Sequence, residues 1–379
     1  MNLKQKRGLC LLLLLLLLCG TCLPAAAAVT DTQLRNAVQQ SAVYMQKTVS
    51  NPQVGSIGGE WAVLGLARSD AAVPQSYWDN YYNNLENYVK AHNGVLHTRK
   101  YTEYSRVILA LTAIGKEPSN VAGYNLLTPL GDYDKTIQQG INGPIWALLA
   151  LDSGNYAMPV NAEAKTQATR QMYVDEILSR QLDNGGWSLT AKGGAGQASA
   201  DVTGMVLQAL ANYQQQEKVK AAIDKALTCL SRMQQADGGF GDNVESVAQV
   251  LVGLCALDID GKDSRFVKEG HTVLDALLSY RQADGSFLHI RKGTGNNQMA
   301  AEQGLYAMVA VQRMVEGKSS LYDMRGSNKQ PAADKPDAKT DAAVKSNIAI
   351  KELSVAEKEV LQKSSAVLFR NLCGNPYFW

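Results

Sequence analysis

The chain has 379 residues, of which 46% are hydrophobic, and 37 basic against 35 acidic residues give a formal charge of +2. This length suits one large domain or two ordinary ones, with enough apolar residues for a sizeable core. No basic stripe runs through the sequence, which argues against nucleic acid as a partner. The four histidines show no metal-ligand spacing: His92, His97, His271 and His289.

Residues 1–28 have the pattern of a secretory signal peptide. A basic start precedes a leucine run at 9–18, and small residues at 25–28 supply a cleavage site near Ala28. The leucine run is short for a membrane span, so we expect no transmembrane segment in the mature chain. The prediction is a secreted or cell-surface protein, with lipidation at Cys22 as an open alternative.

Helices then come in pairs. Residues 33–47 have the periodicity of an amphipathic helix, a glycine turn follows at 55–59, and residues 60–68 are apolar almost all round. A helix without a polar face must be buried on every side. Five more amphipathic helices are predicted over 78–90, 132–139, 170–182, 219–235 and 266–282. Their apolar partners are predicted over 104–114, 145–151, 203–213, 246–257 and 301–314.

Burial then suggests the arrangement of the twelve helices. Six apolar helices require a common interior, which six amphipathic helices can cover from outside. This predicts an all-α fold, an (α/α)6 toroid, with a linear solenoid of helix pairs as the alternative. We therefore expect a signal peptide at 1–28, the toroid at 29–325 and a disordered linker at 326–349. A short amphipathic helix and tail would occupy 350–379, and a surface protein is a candidate partner for that tail.

A glycine-aromatic motif marks the turn within several pairs. It reads QLDNGGW at 181–187 and QQADGGF at 234–240, with a weaker copy, QADGSF, at 282–287. It resembles the squalene oxidase repeat of the terpenoid cyclase and prenyltransferase superfamily, over about residues 31–324. The resemblance implies the alpha-alpha toroid, a fold that hosts both enzymes and binding proteins.

The starts of three predicted apolar helices carry a second resemblance. Residues 101–111, 201–205 and 243–249 are similar to helix starts in the cobalamin carriers, the transcobalamin and intrinsic factor family. Residues 55–68 resemble the opening segment of secreted bacterial toroid proteins. These resemblances imply a secreted ligand-binding toroid with cobalamin as a candidate ligand. The carriers close a small β-rich domain over the corrin, and this sequence predicts none, so we expect weak corrinoid binding.

Acidic residues recur where the apolar helices begin. In a toroid these helices point the same way, so their carboxylates would surround one mouth and bind a small-molecule ligand. The alternative is that they cap helices and match the helix dipole. Asp201 and Glu245 occupy equivalent repeat positions, so we expect them to approach each other. The set comprises Glu60, Glu103, Asp201, Glu245 and Glu302.

Aromatic and polar residues extend this candidate site. Trp61, Tyr104 and Trp146 lie at helix starts, where they would line a cavity or belong to the core. Gln208 and Gln249 lie on apolar helices, so each must bond a neighbouring helix or face the cavity, because an unpaired buried amide is costly. The remaining candidate ligand contacts are Asn142, Thr203 and Asn243.

Reaction chemistry is not visible in the sequence. The Asp-x-Asp-Asp acid of terpene cyclases has only a partial counterpart at Asp258 and Asp260, and Cys255 lacks the partners of a prenyltransferase zinc site. We therefore predict no catalytic residue, no metal and no cofactor other than cobalamin as ligand. The expected function is non-catalytic ligand binding, and the alternative is an isoprenoid-processing enzyme. Cys229, Cys255 and Cys373 are expected to be free thiols.

Overall fold

A computed structural model describes residues 29–326. The predicted signal peptide, nearly all of the predicted linker, and the terminal helix and tail lie outside the described residues. Within 29–326 the chain forms helices and no strand, which confirms the all-α class. None of the helices in this part of the chain is both long and apolar enough to cross a membrane.

Twelve α-helices alternate between two kinds in the described range. The odd-numbered helices, which we call the outer helices, are only partly buried. In α3, for example, four of 17 residues are buried. They are α1 Asp31–Thr48, α3 Gln75–Ala91, α5 Tyr133–Thr136, α7 Arg170–Ser179, α9 Glu217–Met233 and α11 Val273–Leu278.

The even-numbered helices are buried nearly all round, as their lack of a polar face predicts. In α6, ten of 12 residues are buried. We call these six the buried helices. They are α2 Trp61–Arg68, α4 Thr102–Ala113, α6 Asn142–Ser153, α8 Ala200–Leu210, α10 Val244–Ala256 and α12 Gln298–Val315.

Two of the outer helices are shorter than the sequence predicts. The helical segment predicted over 132–139 is present, but only its first four residues after Asp132 are α-helical and it ends as a 3-10 turn at Ile137–Gln139. The prediction over 266–282 is wrong at its start. Gly270 has a φ of +84°, and the helix begins only after Thr272, whose hydroxyl and Asp275 form a capping box.

The repeated motif builds the same turn each time. Gly185, Gly238 and Gly285 have φ values of +92°, +82° and +92°, in the left-handed region that favours glycine. The motif glutamine ties its turn to the next repeat, since Gln181 Nε2 donates to the carbonyls of Gly185 and Ala222, at 2.8 Å each. Gln234 Nε2 likewise donates to the carbonyl of Gly238 and to the carbonyl of Phe266 in the next repeat. The first two copies of the motif therefore join successive helix pairs, whereas Gln282 of the third copy donates to the Tyr280 carbonyl of its own repeat.

Neighbouring buried helices pack in chain order. Each contacts the next from α2 to α12, and α12 in turn packs against α2. The approach of α8 and α10 depends on glycine, because a Cβ on Gly204 would lie 2.6 Å from the backbone of Gln249. Cys229 and Cys255 are buried free thiols, as predicted; Cys373 lies outside the described residues.

Candidate functional site

Five carboxylates stand at the N-terminal ends of the buried helices. We call this region the acid end and define it by Glu60, Glu103, Asp201, Glu245 and Glu302. Within the described residues, no side chain of this set makes the capping hydrogen bond of its helix. Asn243 caps α10 and Asn297 caps α12 instead. Capping therefore does not explain the recurring carboxylates, although the helix dipole still favours negative charge there.

Glu60 and Arg106 form a buried ion pair between α2 and α4. Glu60 is fully buried, and its Oε2 accepts from Arg106 Nε at 2.8 Å. Tyr81 and the Gly55 amide also donate to this carboxylate, and Arg106 Nη2 pairs with Glu103. Burial raises the pKa of Glu60 while Arg106 opposes that rise. Burial lowers the pKa of Arg106, but the two carboxylates outweigh it and raise the value overall.

Glu302 brings a second buried carboxyl group to this corner. Its Oε1 accepts from the Gly58 amide at 2.7 Å and from Gln298 Nε2 at 2.9 Å. Its Oε2 has no hydrogen-bond partner among the residues described. Burial raises the pKa of Glu302 to about 8. The Tyr77 hydroxyl also lacks a partner in that part of the chain, and its pKa is raised by burial and by Glu302.

Glu245, Asp201 and His289 form a second cluster of the acid end. Glu245 Oε2 lies 2.7 Å from His289 Nδ1, whereas Glu245 Oε1 is buried without a partner in residues 29–326. Burial raises the pKa of Glu245; His289 opposes the rise and Asp201 adds to it. Asp201 also accepts from the Ser199 hydroxyl. The His289 side chain is 48% exposed, so this cluster is open to solvent.

The glutamines bond neighbouring helices, which decides between the two interpretations left open above. Gln208 Nε2 donates to Gln249 Oε1 at 2.9 Å and to the Gln249 carbonyl at 2.8 Å. Gln249 Nε2 donates in turn to Gln303 Oε1 at 3.0 Å and to the Tyr306 hydroxyl at 2.6 Å. These bonds link α8, α10 and α12 through the interior. Both glutamines therefore have a structural part in the described contacts.

The predicted aromatic residues pack on one another in the interior. The rings of Trp61 and Trp146 lie 5.0 Å apart, and Tyr306 lies 6.0 Å from Trp61. All three side chains are buried. Tyr104 is buried as well, and its hydroxyl accepts from the Leu96 amide at 3.1 Å. The structure places these rings in the core rather than along an open cavity.

The other two predicted polar contacts differ from each other. Thr203 is fully buried, and its hydroxyl accepts from the Trp187 amide at 3.0 Å, so it supports the glycine turn. Asn142 begins α6 at the acid end. Its Oδ1 is buried without a partner within 29–326, like the free oxygens of Glu245 and Glu302.

Sequence reasoning missed two charged residues of the site. Arg106 carried a readable signal, since a cation on an apolar helix three residues after Glu103 requires a buried carboxylate. His289 carried none, because its contact with Glu245 joins a loop to a helix 44 residues away. Three exposed aliphatic side chains also lie in the loops that enter buried helices: Ile57, Val95 and Ile290.

Comparisons with known proteins add no assignment. No protein-family model matches the sequence, and no curated protein matches it significantly. Across residues 29–326, no group of three or more His, Cys, Asp or Glu side chains is placed to hold a metal ion. The function is therefore argued from the geometry of the acid end.

Proposed function

We propose that the six helix pairs form an (α/α)6 toroid of the terpenoid cyclase and prenyltransferase type, secreted or held at the cell surface, and that its acid end binds a small molecule without catalysis. The packing of α12 back onto α2 supports a closed set of buried helices. The contact of Glu302 with Gly58, and of Glu60 with Arg106, supports a common N-terminal end.

The observation that carries this proposal is a set of buried oxygen atoms without partners in the described chain. They are Asn142 Oδ1, Glu245 Oε1 and Glu302 Oε2. The first two are acceptors, whereas Glu302 holds a proton at neutral pH because burial raises its pKa to about 8. A buried polar atom left unpaired disfavours the folded state by about 1–3 kcal/mol. A ligand that brings N–H or O–H donors to Asn142 and Glu245, and an acceptor to Glu302, would remove that penalty. Eleven such atoms occur in the described residues, and the gathering of three of them at one end of the helices supports a binding site there.

Exposed apolar side chains beside the acid end suggest what else the ligand brings. Ile57 and Ile290 are 55% and 38% exposed in the loops that carry the Gly58 and His289 contacts. A ligand with an apolar body and donor groups at its edge would pack against these two exposed side chains and bond the buried acceptors. A corrinoid has that chemistry, since its ring is apolar and its side chains end in primary amides. We therefore propose a corrinoid as the first ligand to test.

Equilibrium dialysis with cyanocobalamin tests the proposal. The wild-type protein should retain the corrinoid, and Glu245→Gln should bind it at least about tenfold more weakly, since an amide can present a donor where an acceptor stood. Glu217→Gln is the matched control, because Glu217 is exposed in the first turn of α9. No retention at about millimolar ligand would remove the corrinoid, and equal binding by both variants would remove the site.

The second candidate, an isoprenoid-processing enzyme, has one observation in its favour. Trp61, Trp146 and Tyr306 bring three aromatic rings together inside the helices, and such rings can stabilise a carbocation. Squalene or a prenyl diphosphate incubated with the protein should nevertheless remain unchanged if ligand binding is the function. A cyclised or transferred product would establish the enzyme instead.

A further inference from the structure

Residues 319–324 lie against the C-terminal ends of the buried helices; we call them the strap. Arg68, at the end of α2, holds the strap by donating to three of its carbonyls. Its Nε donates to Leu321 at 2.8 Å, and its Nη2 donates to Ser320 at 2.9 Å and to Asp323 at 3.0 Å. The Met324 amide adds a bond to the Ser153 carbonyl at 2.8 Å. Leu321 and Met324 of the strap are buried, and Arg313 donates to the Ser319 carbonyl, so Arg68 supplies most but not all of the polar contacts that hold this segment.

Tyr322 carries the strap into the interior. Its ring lies edge-on to Trp146, with centroids 6.1 Å apart, and only 6% of the residue is exposed. Its hydroxyl has no hydrogen-bond partner within the described part of the chain. A phenol usually finds a partner when buried, so the closed strap holds Tyr322 in an unfavourable position for its polar group.

A small pocket lies beside Tyr322, with a volume of about 30 Å³, space for one or two water molecules. Its lining includes Leu149 and Asp152 of α6, Gln208 of α8 and Val252 of α10. Gln208 Oε1 is the second buried atom at this pocket without a partner in residues 29–326. The pocket therefore joins an unsatisfied donor, the Tyr322 hydroxyl, to an unsatisfied acceptor.

We propose that the strap is displaceable and that the site filled by Tyr322 accepts a planar aromatic ligand carrying a hydrogen-bond donor. Displacement would expose the Tyr322 hydroxyl to bulk water. Gly317, with a φ of +64°, caps the end of α12, so the chain leaves the helix there and the strap can move without unwinding it. The vacated site offers the Trp146 ring for stacking and Gln208 Oε1 for the donor. This site is separate from the acid end and does not depend on what binds there.

A full-length Tyr322→Ala variant tests the ligand chemistry. Addition of p-cresol should raise its melting temperature in a dose-dependent way, and p-cresol should bind it at least about tenfold more tightly than it binds the wild type. The Tyr322 hydroxyl does not reach Gln208 Oε1, but free p-cresol is not tied to the backbone and can shift until its hydroxyl does. Toluene, which has the same ring without the hydroxyl, should therefore stabilise the variant less. A folded variant that ignores p-cresol, or that responds equally to toluene, would overturn the proposed site.

Hydrogen exchange of the wild-type protein tests displacement without any substitution. The Met324 amide should exchange at least about tenfold faster than the amides in the middle of α10, because the strap opens while the helices stay folded. Exchange of both regions at one common rate would mean that the strap opens only on global unfolding. That result would overturn the displaceable strap whether or not Tyr322→Ala folds.

Discussion

The two ends of the buried helices differ in how fully their charged side chains are paired. At the strap end, Arg68 meets three carbonyls of the strap and Arg313 donates to a fourth, that of Ser319. At the acid end, Glu245 and Glu302 each keep one buried oxygen without a partner among the described residues. The helix dipole favours this separation of charge, with anions at N-terminal ends and cations at C-terminal ends.

The difference shows where the chain can accommodate a ligand. The strap end is covered by the chain itself, whose backbone supplies the acceptors that Arg68 needs. Three buried oxygens of the acid end have no partner in the described residues, and His289 leaves part of this end half exposed. The strap end is therefore covered by the chain unless the strap is displaced, whereas we propose that a ligand completes the acid end directly.

The largest effect is expected from Arg106→Met at the acid end. The change leaves Glu60 fully buried without its cation, which should lower the free energy of unfolding by about 3–5 kcal/mol. Urea denaturation measures the loss. Arg265→Met is the control, because its pair with Asp263 is solvent-exposed on both sides and should contribute less than about 1 kcal/mol. Similar losses in the two variants would show that the buried pair of Glu60 and Arg106 stabilises the fold no more than the more exposed pair does.

Arg68→Met should have a smaller effect, confined to the strap end. We expect a loss of about 2 kcal/mol, because the carbonyls freed from Arg68 can turn toward water if the strap moves. Hydrogen exchange should speed up in residues 319–324 and stay unchanged at the start of α10. Faster exchange throughout the buried helices would indicate that Arg68 stabilises the whole fold rather than the strap.

Glu302 should give the acid end its own pH dependence. Its pKa is about 8 in the folded protein against an ordinary 4.5, so between these values the folded protein holds a proton that the unfolded chain releases. Its contribution should lower the free energy of unfolding by about 1.4 kcal/mol per pH unit as the pH rises through this window. In Glu302→Gln, which resembles the protonated form, this contribution should disappear. A variant with the wild-type slope would contradict the assignment.

Asp201→Asn should have the smallest effect on stability and a clear effect on binding. Asp201 is partly exposed and does not cap its helix, so the free energy of unfolding should change by less than about 0.5 kcal/mol. If the acid end binds a donor-rich ligand, cyanocobalamin uptake should fall by about threefold or more. Asp224→Asn, on the exposed face of α9, is the control. Parallel losses of stability and uptake in Asp201→Asn would point to a structural role.

The sequence allowed good prediction of the helices that lack a polar face. Residues 246–257 are apolar all round, and the helix observed there, Val244–Ala256, differs by two residues at most. Short outer helices such as Val273–Leu278 were less predictable, because glycines and caps decide their ends. The five carboxylates were found from their recurrence at helix starts.

The partners of these carboxylates could not be predicted in the same way. The bond between Glu245 and His289, and the hold of Arg68 on the strap, join residues 44 and about 250 positions apart. Such contacts depend on how the helix ends meet in space. The choice between a neighbouring helix and a cavity for Gln208 was open for the same reason.

Native mass spectrometry of the protein purified from its natural source tests the central claim most directly. The wild type should carry a bound small molecule rich in hydrogen-bond donors, and a Glu245→Gln, Asn142→Leu double variant of unchanged fold should lose it. Retention of the same molecule by the double variant, or a wild type that carries and accepts no such molecule, would contradict the assignment of the acid end as a binding site.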